Sequence, residues 1–456
     1  MQRLLLTLFA LALIPLFAAP VAAQSCSPIN ISWPEGADVP VWELEALPVS
    51  LSTGPDGSGL EIRNVRYNGR LVLKRGHIPM LNVRYQSGCG CFRDWMRSNT
   101  RFEADNVTGT CFAQPEPGST RTMCDVGVQS SDIGSFQGIA MEDFGDGFTL
   151  VTQSSAGWYR YTMKWTFEED GTIRPTFGFS NTTNSCALNY RWHHVYWRLD
   201  FDIESADRNQ VAVSRDGQDF EVIETETTQF WDDPADVLAP TTWAVFNLDT
   251  ERGYSLTPGE KEYETPANPQ TGNPTFDQFA REDIAFSRYR AGQLTDNRGG
   301  CSVNFEGGTN PIVQGEDISD ADVVVWYRTG ATRTGGFDYT CRPLGPVIRP
   351  IGDWSRPSVV DTEEEATPIA TTLEAFPNPF DQSTTVRYVL EEAQNIRVTL
   401  YDALGREVRR LFEGAPPAGS PQELIIDGSD LPSGVYTVRI SGDAGPLATR
   451  RIVLVR

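Results

Sequence analysis

The sequence predicts an all-β protein in which a large β-sandwich precedes a small one. From Gln24 to Cys341, runs rich in Val, Ile, Thr, Tyr, Phe and Trp alternate apolar and polar residues, and no helical period is sustained. Clusters of Gly, Pro, Asn and Asp separate these runs. Strands at this density over about 300 residues favour one large sandwich. The same alternation returns over Leu373–Arg456, at the length of a small sandwich.

The first 23 residues predict a signal peptide. Arg3 precedes an apolar run of about a dozen residues, and Val21-Ala22-Ala23 fits a cleavage site before Gln24. This run is too short for a membrane-spanning helix, and no later segment reaches the length that one needs. We therefore expect export without a membrane span.

Residues 24–341 are expected to form the large sandwich. Eight cysteines all lie at or before Cys341, and their even number in an exported chain favours disulfides, whose pairing the sequence leaves open. The alternative, a zinc site on Cys89 and Cys91, lacks further ligands at short spacing. Representative predicted strands are Leu60–Val65, Gly69–Leu73, Gly147–Thr152, Gly157–Glu168, Val195–Ile203 and Asp322–Arg328.

Two long alternating stretches lie near the centre of this domain. In Gly157–Glu168 the odd positions from Tyr159 onwards are apolar or aromatic, which places Tyr159 on the inward face. In the later stretch His193 falls in the apolar row and His194 in the polar row. Taken alone, either histidine is more often a hydrogen-bonded structural residue than a metal ligand.

A linker and a second compact unit follow. Residues 342–372 contain five prolines and an acidic run at 361–365, a composition that favours an extended, mobile segment. Residues 373–456 predict about seven strands, with Gly405 and Gly434 at tight turns. The net charge of −23 disfavours nucleic acids and anionic membranes as partners.

Residues 373–456 closely resemble the type A C-terminal sorting domain of the type IX secretion system of Bacteroidota-like bacteria. The resemblance implies recognition by the export machinery, passage through the periplasm and outer membrane, delivery to the cell surface or medium, and proteolytic removal of the domain. The motifs that carry it are Phe376–Phe380, Tyr401-Asp402 with Gly405–Val408, Ser433–Tyr436 and the basic-apolar end Arg450–Arg456.

From about Trp42 to Cys341 the chain resembles the catalytic domain of copper amine oxidases. Such enzymes hold copper with three histidines, convert a neighbouring tyrosine to topaquinone, use a carboxylate as base and are commonly dimers. The resemblance thus implies a copper amine oxidase-like β-sandwich and a possible homodimer. The matching segments are Val65–Arg70 with Arg75 and Pro79-Met80, Ser155–Ile173, Arg191–Asp200, Thr242–Asn247, Gly253–Pro258 and Asp320–Gly330.

The resemblance places Tyr159 at the cofactor tyrosine, with Trp158 in place of the family's asparagine. It makes Asp94 the candidate base and leaves His193 as the one retained metal ligand. The other two ligand positions fall on Arg191 and Arg333. A guanidinium offers no lone pair to a metal, so we expect these arginines to form a cationic interior spot, balanced by buried carboxylates or an anionic ligand.

The remaining histidines do not restore the ligand set. His193 and His194 are adjacent on a strand and point to opposite faces, so they cannot chelate one ion without a bulge. The only other histidine is His77.

Two functions follow from the sequence. The first is an exported surface or secreted protein that has lost copper and topaquinone catalysis, needs no cofactor, and binds an unknown extracellular ligand or serves as a structural module. The alternative is a copper- and topaquinone-dependent primary amine oxidase, which forms aldehyde, ammonia and hydrogen peroxide. A hydrolase is disfavoured because no G-x-S-x-G nucleophile elbow occurs.

Overall fold

The computed structural model describes most of both sandwiches. The described residues are 26–54, 57–85, 88–105, 107–216, 219–230, 241–259, 282–294, 312–333, 344–355, 372–376, 378, 380–390, 394–402, 406–416, 422–442 and 445–455. The predicted signal peptide, and the part of the predicted linker at 356–371, lie outside them. Among the described helices, none has the length and apolar character needed to cross a membrane.

Within the described residues, the large sandwich contains strands β1 to β20 and one short helix. The strands are β1 Ile29–Trp33, β2 Trp42–Leu47, β3 Glu61–Tyr67, β4 Arg70–Tyr85, β5 Cys91–Asp94, β6 Ser98–Asn99, β7 Gly109–Ala113, β8 Phe136–Asp143, β9 Gly147–Ala156, β10 Tyr159–Glu168, β11 Ile173–Asn181, β12 Arg191–Phe201, β13 Asn209–Ser214, β14 Glu221–Ile223, β15 Thr227–Gln229, β16 Thr242–Asn247, β17 Gly253–Thr257, β18 Ile284–Arg288, β19 Val323–Arg333 and β20 Val347–Ile351; helix α1 is Met123–Val126. The described part of the chain also has short 3₁₀ turns at Val49–Leu51, Cys186–Leu188 and Ala291–Gln293.

The described strands form two sheets that face each other. Sheet one has nine strands in the order β1-β2-β3-β4-β12-β19-β18-β15, with β5 paired to β4. Sheet two has eleven strands in the order β14-β13-β16-β17-β20-β11-β10-β9-β8-β7, with β6 paired to β9. Apolar side chains from both sheets fill one continuous core between them, which confirms the predicted all-β class and large sandwich.

Strand β10 lies in sheet two, and its alternation is as predicted. The side chains of Tyr159, Tyr161 and Trp165 are at most 2% exposed and belong to the central core. Its hairpin with β11 closes at Gly171, whose φ of 93° lies in the left-handed region. The apolar period of two therefore gave the inward face of this strand correctly.

Strand β11 lies between the two central stretches in sequence and was not among the strands predicted from it. It pairs along its length with β10, with Tyr159 opposite Asn181. Strand β12 then crosses to sheet one, where β4 and β19 flank it. The two stretches thus face each other across the core instead of pairing side by side.

Strand β12 is buried on both faces, although its even positions are polar. The residues that cover the outer face include a second apolar cluster drawn from β4, β12, β18, β19 and the segment before β19. Its members are Met80, Tyr196, Ala285, Ile312, Val313, Val324 and Trp326. His194, Arg198 and Asp200 are therefore buried as well, at 2% exposure or less.

Part of the predicted linker belongs to the large sandwich. Strand β20 pairs with β17 and also contacts β11, so it is a central strand of sheet two. Val347, Ile348 and Ile351 supply its apolar positions, and the buried Trp354 packs on Tyr254 with ring centroids 5.0 Å apart. The described residues 344–355 are therefore ordered sandwich, contrary to the prediction of an extended segment there.

All six cysteines in the described part of the chain are in disulfides. Cys26 bonds to Cys111 and Cys89 bonds to Cys186. Cys91 and Cys124 are disulfide-bonded too. The zinc alternative for Cys89 and Cys91 is therefore wrong, because neither is a free thiolate.

Seven described strands build the small sandwich, in agreement with the prediction. They are β21 Thr372–Phe376, β22 Ser383–Val389, β23 Ile396–Asp402, β24 Glu407–Gly414, β25 Gln422–Asp427, β26 Gly434–Gly442 and β27 Gly445–Leu454. The sheets β21-β22-β25 and β24-β23-β26-β27 enclose a separate apolar core.

Two motif residues of the small sandwich have clear structural roles. Asn378 donates to the Arg451 carbonyl at 2.9 Å and accepts from the Val453 amide at 2.8 Å, so it fixes the chain to the edge strand β27. The Tyr436 hydroxyl donates to the Pro432 carbonyl at 2.7 Å, which closes the turn before β26.

Candidate active site

Tyr159 and His193 meet in the core although they come from opposite sheets. Their ring centroids are 4.6 Å apart in an edge-to-face arrangement. Phe179 of β11 stacks on His193 with centroids 3.6 Å apart, and Tyr161 lies 5.7 Å from the same imidazole. Two of the three residues singled out from the sequence are therefore in direct contact.

Asp94 lies beside this pair but binds a different tyrosine. Strand β5 carries Asp94 at the edge of sheet one, opposite Leu81 of β4. The Tyr161 hydroxyl donates to its carboxylate. Burial raises the pKa of Asp94 to about 6, while the bond from Tyr161 lowers it. The candidate base is thus held by Tyr161, two residues after the tyrosine that the sequence singled out.

Tyr159 is enclosed by aromatic side chains. Its ring stacks on Tyr85 with centroids 6.4 Å apart, and the Trp158 indole donates to the Tyr85 hydroxyl at 3.1 Å. Burial, followed by the neighbouring Tyr85, raises the pKa of Tyr159 far above its ordinary value. Its phenol therefore stays protonated at neutral pH.

Arg191 occupies the position two residues before His193, on the same strand face. The side chain is 1% exposed, and its guanidinium lies 5.9 Å from the Tyr159 ring centroid. It donates to the carbonyls of Ala187 and Asn189, and to Asn181 Oδ1 at 2.9 Å. These three hydrogen-bond acceptors of Arg191 are neutral oxygens, whereas the sequence analysis expected buried carboxylates or an anionic ligand.

The second arginine position is a direct neighbour of the first. Arg191 of β12 and Arg333 of β19 are opposite each other in the antiparallel ladder. The two positions are therefore neighbours on adjacent strands, as two ligands of one metal ion would have to be.

The three histidines lie in three different environments. His194 is on the outer face of β12, where its Nδ1 is 3.2 Å from Arg328 Nη1. His77 of β4 is opposite Arg198. Burial, then the charge of Arg198, lowers the pKa of His77 well below its ordinary value. His194 and His77 therefore lie on the outer face of sheet one, whereas His193 lies on the inward face.

The surroundings of His193 include a buried cation. Arg191, at 1% exposure, lies at a position where the sequence resemblance expects one of three histidine ligands, and a guanidinium offers no lone pair to a metal. In the described part of the chain, three metal-binding side chains converge only at Asp200, Asp202 and Asp322, where one oxygen of each lies within 4.8 Å of the others. This oxygen-only set suits a hard cation, not copper.

The aspartate cluster gives the large sandwich a pH-dependent stability. Burial, then the charge of Asp200, raises the pKa values of Asp202 and Asp322 to about 7. A raised pKa means that the folded state binds protons more tightly than the unfolded chain, so this stability is lost as pH rises through about 7. We expect the free energy of unfolding in urea with EDTA to fall between pH 5.5 and pH 8.

The substitution Asp202→Asn is expected to flatten this pH profile, since it removes one of the titrating groups. Asp143→Asn, at an exposed position, serves as the control. A wild-type protein that gains stability between pH 5.5 and pH 8 would contradict the assignment.

Several residues of the site were missed in the sequence. Tyr161 was recoverable, because the alternation puts it on the inward face with Tyr159. Phe179 and Asn181 were not, since they lie on β11, a strand that the sequence analysis did not predict. Tyr85 lies at the end of β4, twelve residues beyond the predicted end of that strand.

Comparison with known proteins identifies the C-terminal unit. Residues 374–455 match the family described as the secretion system C-terminal sorting domain. The predicted sorting domain is thereby confirmed: the protein is type IX cargo, exported to the cell surface or the extracellular space. No curated protein matches the chain in sequence.

Solved amine oxidases are among the similar structures. Pichia pastoris lysyl oxidase has 13% identity and a TM-score of 0.46, over 68% of this chain and 51% of its own. Aspergillus nidulans amine oxidase has 15% identity and a TM-score of 0.42, over 68% and 50%. A copper-containing benzylamine oxidase from Hansenula polymorpha has 13% identity and a TM-score of 0.40, over 72% of this chain and 63% of its own. The chain spans less than two thirds of each of these proteins, and values this low assign no activity.

Proposed function

We propose that the large sandwich acts outside the cell as a binding or structural module without copper and topaquinone catalysis. The observation that carries the proposal is the buried Arg191. Its guanidinium fills the position two residues before His193 and is hydrogen-bonded to three oxygens of the surrounding chain. A group that is always protonated cannot ligate a metal, and here it also supports the loop before β12.

The surface next to the site has the chemistry of a ligand contact. Phe92 and Trp95 flank Asp94 in sequence and are 43% and 48% exposed. Asp94 is ionised above pH of about 6. Exposed aromatic faces favour cationic ligands, which the net charge of −23 would also attract. A homodimer remains a prediction from the resemblance.

The alternative function is a primary amine oxidase, and one observation favours it. Tyr159 and His193 are in ring contact, with Asp94 close by on Tyr161. In that reading copper and topaquinone would supply the redox chemistry, Tyr159 would be the cofactor precursor and Asp94 the base. The proposal and this alternative differ in whether a quinone forms.

The test is aerobic incubation of the purified exported protein with copper, followed by phenylhydrazine. We expect a colourless protein that forms no visible phenylhydrazine adduct, and no hydrogen peroxide when primary amines are added. The matched control is Tyr159→Phe, which cannot form the quinone and should give the same spectrum as the wild type. A phenylhydrazine band in the wild type that is absent from Tyr159→Phe would establish the oxidase instead.

A further inference from the structure

The turn between β16 and β17 contacts the sorting domain. Glu251 in this turn accepts a hydrogen bond from the Thr437 hydroxyl of β26 at 2.6 Å. The guanidinium carbon of Arg451, on β27, lies 6.0 Å from the ring centroid of Phe246 on β16. These contacts join residues that are about two hundred positions apart in sequence.

The low exposure of Thr437 on the sorting domain indicates the same contact. Thr437 alternates with Tyr436 and Val438, which fill the domain's core, so its side chain points to the outer face of the sheet. Thr437 is nevertheless only 7% exposed. Arg451 is its direct partner on β27, and burial lowers the pKa of that guanidinium while Glu251 raises it.

Charge on the two sides is complementary. Arg451 of the sorting domain and Glu251 of the turn have opposite charges, and the charge of Arg450 also acts on Asp249 of the turn. The pKa of Asp249 is lowered by hydrogen bonds from Arg208, raised by burial, and lowered again by the charge of Arg208. The charge of Arg450 lowers it further. Glu251 opposes Arg451. Basic groups of the sorting domain and acidic groups of the turn thus act on each other electrostatically.

The backbone of the turn is also unusual at this residue. Glu251 has φ of 59°, in the left-handed region that glycine tolerates better than any residue with a side chain. The turn is held by Asn247, whose Oδ1 accepts from the amides of Asp249 and Thr250 at 2.9 and 3.2 Å. A strained residue kept in place by its surroundings is a reason to look for a function of its side chain.

We propose that the β16–β17 turn is a docking site for the chain's own sorting domain. Glu251 accepts the hydrogen bond from Thr437 and its charge acts on Arg451, whose guanidinium lies over the Phe246 ring. While docked, this part of the outer face of the sorting sheet is covered by the cargo and is closed to other proteins. A second protein can therefore bind this face only after the sorting domain has separated from the β16–β17 turn.

The test is hydrogen–deuterium exchange on the full-length chain with Glu251→Lys. Placing a cation near Arg451 should raise amide exchange in residues 248–252 and 434–442 together, by about fivefold, the scale expected when a favourable, partly exposed charge interaction becomes a like-charge repulsion. The exposed Glu116→Lys is the matched control and should leave both segments unchanged.

The charge-swapped double variant makes the test specific. Glu251→Lys combined with Arg451→Glu restores opposite charges, so protection of both segments should return. Unchanged exchange in Glu251→Lys would overturn the docking proposal. Loss of protection that the swap fails to restore would overturn the pairing of Glu251 with Arg451.

Discussion

Replacing Asp283 by alanine is expected to lower the free energy of unfolding by about 3–5 kcal/mol, the scale for breaking a buried ion pair. Asp283 Oδ1 lies 2.5 Å from Arg328 Nη2, and both side chains are fully buried beneath the outer face of β19. The substitution leaves the Arg328 charge buried with its carboxylate partner removed. Urea unfolding at pH 7 measures the loss.

The matched control for this substitution is Asp249→Ala. Asp249 also pairs with an arginine, Arg208, but its side chain is 57% exposed. Because water screens that pair, we expect a loss of about 0–1 kcal/mol. Equal losses in the two variants would contradict the view that the outer face of sheet one is a buried polar layer.

Replacing Arg191 by alanine is expected to cost about 3 kcal/mol or more. The change leaves Asn181 Oδ1 and the carbonyls of Ala187 and Asn189 without the donor that they now share. Buried acceptors that lose their donor cost about 1–3 kcal/mol each, and truncation of a large buried side chain adds a cavity. Thermal and urea unfolding, with near-ultraviolet circular dichroism for the Tyr159 cluster, measure the effect.

Arg121→Ala is the control for the effect of removing an arginine. Its side chain is 56% exposed and pairs with the exposed Glu103 at 3.2 Å, so its loss should stay below about 1 kcal/mol. If Arg191→Ala were as mild as Arg121→Ala, then Arg191 would not be the structural replacement that the proposed function requires.

Alternation along single strands explains what the sequence could predict. A period of two places Tyr159 and His193 on inward faces, and two inward faces of one sandwich must meet in its core. The sequence could therefore predict that Tyr159 and His193 both face the core, although not the distance between them. The sorting domain was predictable for a different reason, since residues such as Asn378 and Tyr436 make hydrogen bonds that its turns and edge strand require.

Contacts that depend on how separate strands are placed could not be predicted in this way. Asp94 meets Tyr161 because the edge strand β5 pairs with β4 at a particular register, which no local pattern encodes. The polar row of β12 is buried because segments far along the chain cover it. Strand β20 lies in a proline-rich stretch, and its five-residue apolar pattern is visible only beside the strands it joins.

The copper content of the exported protein tests the central claim most directly. The protein is incubated with copper in air, passed through a desalting column with EDTA, and measured for copper per chain beside His193→Ala. Because Arg191 and the separated histidines leave no three-imidazole site, we predict far less than one copper per chain and the same value in both proteins. One retained copper per wild-type chain that disappears in His193→Ala would contradict the account.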